Sequence, residues 1–198
     1  MMNTEQKKFI MTPIHIVSCI VGIIRQYLGT EDRIAIDQSK YVWKQNPRES
    51  DVFVSEEFNS DRDAVGKRPL VLVGFPQVMF PRDVMGDMMN YMPGGYEVRN
   101  ISRAQGNIRL RCISESALAS IELATELRYF IDVFRHQIQC SHSLDLLRSN
   151  GVQGPQRTEE YKEYWTTDVI CDIVYQENWA VTIEHLKIKS INVDLTAK

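Results

Sequence analysis

The sequence predicts one α+β domain in which a mixed or antiparallel sheet, with β-hairpins, packs against two main helices at about 13–28 and 115–137. Three observations carry this expectation. Apolar residues recur at helical spacing in those two stretches. Between them and near the C-terminus they alternate, or form short apolar runs, as strands do. No internal repeat, low-complexity tract or linker-like stretch divides the 198 residues, so residues 1–198 count as a single domain.

Taken in order, Thr12-Pro13 supplies an N-cap hydroxyl followed by proline at the first helical position, where a missing N–H costs nothing. Ile14, Val17, Val21, Ile24 and Leu28 form the apolar stripe, Ile20 and Ile23 widen it, and Gly29 ends the helix. A strand is expected from Arg33 to Trp43, a turn around Asn46-Pro47, and a strand from Asp51 to Phe58 with Val52 and Val54 on one face. The charged stretch Asn59 to Arg68 is an expected loop. Pro69 to Phe75 is continuously apolar, the mark of a strand buried on both faces.

Residues 76–95 differ in character. They carry Met79, Met85, Met88, Met89 and Met92 with Pro81, Pro93 and Gly94-Gly95. Methionine adapts to irregular contact surfaces, so this segment is either a satellite of the core or an arm that packs on a neighbour. Asp83 to Tyr91 is an expected short helix.

Tyr96 to Ser114 has the pattern of a hairpin turning at Ala104-Gln105-Gly106-Asn107. Arg99, Arg103, Arg109 and Arg111 lie in it, the last two opposite Leu110 and Cys112. Ser114 is the expected N-cap of the long helix. Its expected stripe is Leu118, Ile121, Ala124, Leu127, Ile131 and Phe134, with Leu123 and Phe130 at the margins. Gly151 to Gln156 is an expected loop. Strands follow at Thr166 to Gln176 and Trp179 to Leu195, reversing at Gln176-Glu177-Asn178.

The hydrophobic fraction is 43% and the charged fraction 25%, ordinary for a folded globular chain. Twenty-three basic and 26 acidic residues leave a formal charge of −3, which argues against a dedicated nucleic-acid binder. The four cysteines share no C-x-x-C pair and are expected as free thiols. No secretory leader is visible, and the apolar run Ile14 to Ile24 is short of the roughly 20 residues that span a bilayer. No membrane contact is expected.

Patterns that carry chemistry are missing or incomplete. There is no H-E-x-x-H, P-loop or G-x-S-x-G. His136, Cys140 and His142 are the one metal candidate, lacking a fourth ligand. The pairs Glu56-Glu57, Asp61 with Asp63 and Glu159-Glu160 have the setting of solvated loop acids rather than a desolvated acid–base site. The expectation is therefore a non-enzymatic protein without catalytic residues, metal or cofactor. The arginines are either a solvated outer sheet face or an electrostatic contact with a partner subunit or with DNA in a channel. Trp165, Tyr175 and Trp179, with Tyr161 and Tyr164, are either core and rim residues or interface anchors.

The order of parts, an N-terminal apolar helix, several strands, a hairpin whose second arm runs straight into a long helix and then a C-terminal hairpin, resembles the tail-terminator and neck (head-to-tail connector) proteins of tailed bacteriophages. The stretch Ile14 to Leu28 resembles their first helix. The stretch from Asn107-Ile-Arg-Leu-Arg-Cys-Ile-Ser-Glu-Ser-Ala-Leu to Ile131 resembles their strand-into-helix unit. The resemblance implies a virion protein, assembled in the host cytoplasm, that forms a homo-oligomeric ring, often a hexamer. The ring would bind tail tube or head-completion proteins, with DNA passing transiently through its lumen. A ring needs two different sticky surfaces per subunit. Candidates are the Met79–Met92 segment, the Arg99–Arg111 unit, the Trp165–Trp179 strand, and sheet edges extended across subunits. The alternatives are another minor virion component, such as a head-completion or baseplate protein, and a small ligand-binding domain or enzyme with a scattered site.

Overall fold

The computed structural model describes residues 12–30, 41–57, 69–81, 90–91, 97–157 and 163–182. Two helices, α1 (Pro13–Gly29) and α2 (Ala117–His142), accompany seven strands among these residues. The strands are β1 (Phe53–Glu56), β2 (Leu70–Met79), β3 (Asn90–Tyr91), β4 (Glu97–Ser114), β5 (Leu144–Val152), β6 (Gln156–Arg157) and β7 (Trp165–Thr182). They form one mixed sheet in the order β1-β2-β4-β7-β5, with β3 beside β4 and β6 beside β7. Among the described residues only β1 and β2 pair in parallel; the other pairings are antiparallel. The fold is α+β, as the sequence predicts.

Both helices cover the same sheet face. α1 packs on β1 and β2, and α2 on β4, β5 and β7. Period two decides which side chains meet them. Val52, Val54, Val71, Val73, Ile108, Leu110, Cys112, Val169, Cys171 and Ile173 point inward and share one core with the helices. Leu70, Leu72 and Ile113 are also buried, but in a separate small cluster on the opposite face, with Phe53 and Tyr164 against it. β2 is thus covered on both sides at its start, as its unbroken apolar run demands.

α1 begins where the Thr12-Pro13 pair requires. The Thr12 N–H donates to His15 Nδ1 (3.4 Å), and the Thr12 hydroxyl lies 2.7 Å from the same nitrogen. Its buried seam is Ile16, Val17, Ile20, Val21, Ile24, Tyr27 and Leu28, whereas Ile14 is 67% exposed. Gly29 is the last helical residue, not the cap; Thr30 is the C-cap, in extended backbone. Arg25 fixes the helix to β1 by donating to the Val54 carbonyl from Nε (3.1 Å) and from a terminal nitrogen (2.8 Å).

α2 is capped by Ser116, not Ser114, which remains the last residue of β4. Its buried apolar residues are Leu123, Ala124, Leu127, Phe130, Ile131 and Ile138. Leu118, expected on the stripe, is 65% exposed, because the seam is rotated toward Leu123 and Phe130. Two polar contacts bind α2 to the sheet: Ser120 Oγ with Thr167 Oγ1 (2.9 Å), and the Ser149 hydroxyl donating to Asp132 Oδ1 (2.5 Å). Ser143, in left-handed backbone (φ 52°), reverses the chain directly into β5. That strand lies in a stretch the sequence left without an element, and Gly151, expected to open a loop, sits inside it at φ 143°.

Two expected hairpins are single strands. β4 runs through Ala104-Gln105-Gly106-Asn107 without turning, paired with β2 on one side and β7 on the other. Gly106 serves close approach rather than a turn: a Cβ there would lie 2.2 Å from the Gln77 carbonyl, beside the β2 irregularity between Gly74 and Gln77. Gln176-Glu177-Asn178 likewise continues β7, opposite Arg103, Ser102 and Ile101. With 18 residues each, β4 and β7 pair along their whole length. Tyr41 to Trp43 are not strand, and Asn90 and Tyr91 are strand rather than helix. The expectations for residues 33–40, 58–68, 83–89 and 183–195 lie outside the described residues. Among the described residues no helix is long and apolar enough to cross a membrane.

Between the helices, the buried Tyr27 hydroxyl donates to Glu126 Oε1, and the Tyr27 ring stacks on Phe130 with centroids 4.1 Å apart. Glu126 is 9% exposed, so it depends on this donor. Tyr27→Phe should cost about 1–3 kcal/mol, the desolvation of an acceptor left unsatisfied. Urea unfolding checks it; an unchanged midpoint would show that the carboxylate does not rely on Tyr27.

Candidate functional site

The outward face of the sheet carries the densest described cluster of charge, and sheet register assembles it. Arg109 and Arg111 are two apart on β4, so both leave the core face that Ile108, Leu110 and Cys112 occupy. Arg111 pairs across the ladder with Asp168 of β7. On the other side Arg109 lies opposite Gly74 of β2. Glu57 follows directly after β1 and reaches over β2 to both arginines. A terminal Arg109 nitrogen donates to Glu57 Oε1 at 2.7 Å, and a terminal Arg111 nitrogen lies 3.1 Å from the same oxygen.

Gly74 makes this reach available. A Cβ on Gly74 would fall 1.8 Å from Glu57 Oε2, so any side chain there displaces the carboxylate. The four charged groups are only partly exposed: their side chains retain 29%, 31%, 21% and 15% for Arg109, Arg111, Glu57 and Asp168. Arg111 Nε sits 3.5 Å from Asp168 Oδ1, close enough for charge attraction but outside hydrogen-bond alignment. Both atoms, and Arg109 Nε, are shielded from solvent without a hydrogen bond. Burial pushes the Asp168 carboxyl above its ordinary value; Arg111 and Arg109 pull it down, and Glu57 pushes it up. The arrangement neutralises two arginines within the chain.

The sequence-predicted residues therefore separate. Arg109 and Arg111 come together with two acids, and Arg103 is exposed further along β4. Arg99 pairs in the ladder with Asn90 and Ala180, and Trp179 with Asn100; their side chains lie outside the description. Met79 ends β2 and is 47% exposed, next to Phe80 at 51%. Met85, Met88, Met89 and Met92 lie outside the described residues. Trp165 begins β7 half-buried, with the Arg157 guanidinium 5.1 Å from its ring centroid. Tyr175, an interface candidate, is a core residue at 0% exposure, since its strand position faces the helices.

Sequence reasoning missed Glu57, Gly74 and Asp168. In the sequence Glu56-Glu57 has the setting of solvated loop acids. Glu56 instead accepts a hydrogen bond from the Ser18 hydroxyl of α1 (2.5 Å), while Glu57 joins the arginines on the other face. The available signal was parity: alternation from Val52 and Val54 puts two adjacent acids on opposite faces.

The three metal candidates also separate. His136 and Cys140 share the exposed side of α2. His142 lines a cleft of about 320 Å³ between the helices, floored by Tyr27, Phe130 and Phe134 and rimmed by Gln26, Thr30 and Gln137. The cysteines at positions 19, 112, 140 and 171 are free thiols. No protein-family model matches the sequence, and no curated protein matches it significantly.

Glu57→Ala leaves two half-buried guanidiniums without their shared carboxylate and should cost about 1–3 kcal/mol in urea unfolding. Gly74→Ala should destabilise by a comparable amount, and the double variant by clearly less than the sum, because both act on one contact. Strict additivity would refute the contact.

The Asp168 carboxyl is raised in the fold, so the folded state binds its proton more tightly than the unfolded chain does. The ionised form costs stability at neutral pH, and that cost is relieved as pH falls through the folded pKa toward the ordinary carboxylate value. The stability of wild type relative to Asp168→Asn should rise on acidification through that window. A difference that is flat or falls with acidification contradicts the assignment.

Proposed function

We propose that this chain is a structural protein of a tailed phage particle. In this reading it forms a homo-oligomeric ring at the neck or at the end of the tail tube, as a tail terminator or head-to-tail joining protein. The observation that carries the reading is the part of the β4–β7 ladder that outruns the rest of the sheet. β2 stops at Met79 opposite Gln105, and β5 starts at Leu144 opposite Tyr175, which faces Ala104. Seven further pairs continue, from Arg103↔Gln176 to Glu97↔Thr182. At about 3.3 Å per residue they extend roughly 20 Å as a two-stranded ribbon. Among the described residues only the two-residue β3 flanks it.

A two-stranded ribbon is marginal in water by itself. It gains cover when it lies against a neighbouring subunit, which is what a ring supplies. The ribbon also holds three of the sequence-predicted contact residues, Arg99, Arg103 and Trp179. A second, separate surface is needed for a head-to-tail ring contact. The outer side of α2 supplies one, with Leu118 (65%), Tyr129 (40%) and Val133 (58%) exposed.

Element order lends further support. An apolar first helix is followed by strands, and β4 passes into α2 through Glu115-Ser116 alone, in line with the resemblance, whereas the two hairpins that the resemblance also included are the single strands β4 and β7. Arg109 and Arg111 are engaged by acids of their own chain, so among the described arginines of this unit a contact with DNA in the lumen falls to the exposed Arg103. The near-neutral balance suits a lumen that lets DNA pass.

Light scattering of the purified protein and negative-stain electron microscopy test the proposal. Rings several times the 22.9 kDa subunit mass are expected, alone or on added tail tube protein. A strict monomer at high concentration that fails to assemble with tail tubes overturns it.

A further inference from the structure

α2 presents His136 and Cys140 to solvent, four residues apart on one side of the helix. Cys140 Sγ lies 3.9 Å from His136 Nε2. A tetrahedral zinc-class ion with metal–sulfur and metal–nitrogen bonds of about 2.3 and 2.0–2.1 Å needs these atoms about 3.5 Å apart. The observed separation exceeds that bite by a few tenths of an ångström. Small rotations about the side-chain bonds of two exposed residues close the gap.

The other thiols compete poorly. Cys112 and Cys171 are buried in the core, and burial raises both thiols, Cys171 to about 12. Cys19 is half-buried on α1 and is also raised by burial. His142 faces the cleft between the helices and does not join the pair. Among the described residues no group of three ligating side chains converges, so the site is a pair.

We propose that His136 and Cys140 form a bidentate surface site for a divalent transition-metal ion of the zinc class, with water in the remaining positions. The donor set fixes the class of ion. A thiolate and an imidazole suit zinc, cobalt or nickel, whereas magnesium and calcium take oxygen ligands. One chain supplies both protein ligands, on the side of α2 that also carries Leu118, Tyr129 and Val133, so the site is probed on the unassembled chain.

Cobalt(II) is the probe. Titrated into the full-length protein under a reductant that carries no thiol, it should give a thiolate-to-cobalt charge-transfer band that saturates at one ion per chain. Added zinc should bleach it. Cys140→Ser should abolish the band, and His136→Ala should weaken the apparent affinity roughly tenfold or more, since ligand count sets the binding energy. Both side chains are exposed, so the fold should survive either change, which circular dichroism verifies. Absence of a band in the wild type overturns the proposal. So does a band that persists in Cys140→Ser, which places the ion elsewhere, or an affinity unchanged in His136→Ala, which leaves a lone thiol.

Discussion

The β4–β7 ladder is the interaction on which the rest of the structure depends. Both strands have 18 residues and pair without a break. β2 attaches to one flank of this pair and β5 to the other, and β1 joins the sheet through β2. The inward residues of the two strands form the floor on which α2 lies. Because side chains alternate strictly, the same register that buries Leu110 against Val169 also sets Arg111 opposite Asp168. A slip of one residue would expose the core and bury the charges together. Core and charged face are therefore one constraint seen from two sides.

That coupling explains what the sequence could show. Helix positions, the buried start of β2 and the opposite facing of Arg109 and Arg111 were legible because each follows from local periodicity. The two long strands were not. Gly106, next to Asn107, carries a turn signal, yet its lack of a side chain answers the Gln77 carbonyl of β2, which sequence does not bring near. Gln176-Glu177-Asn178 is polar enough to suggest a reversal, yet its backbone is satisfied by β4. Long-range pairing overrode local chemistry in both places. β5 was illegible for a related reason: its burial is irregular, with shifts between Leu144 and Leu146 and between Ser149 and Gly151 breaking the period of two.

The charged cluster shows the same limit from the functional side. Its arginines stood out in the sequence, and their partners did not. Glu57 belongs with them only because β1 and β2 are parallel neighbours and Gly74 leaves room above the strand. Such a group is better understood as a fastening than as an open basic patch. It holds the end of β1 across β2 onto β4, and part of its favourable Coulomb energy offsets the cost of drawing four charges partly out of water.

Among the described residues, the edges of the sheet bear on how the proposed ring would be held. β1 has four residues, too few to template a long pairing. The outer strand β5 carries two register shifts, and such bulges twist an edge away from straight partners. Lateral growth of the sheet from subunit to subunit is therefore disfavoured at both ends of the order β1-β2-β4-β7-β5. The ribbon of β4 and β7 and the exposed side of α2 are different surfaces set on different elements, so a contact between them would be heterologous and would close into a ring or wind into a filament. A ring of this subunit would then be held by ribbons reaching across to neighbours rather than by one continuous sheet.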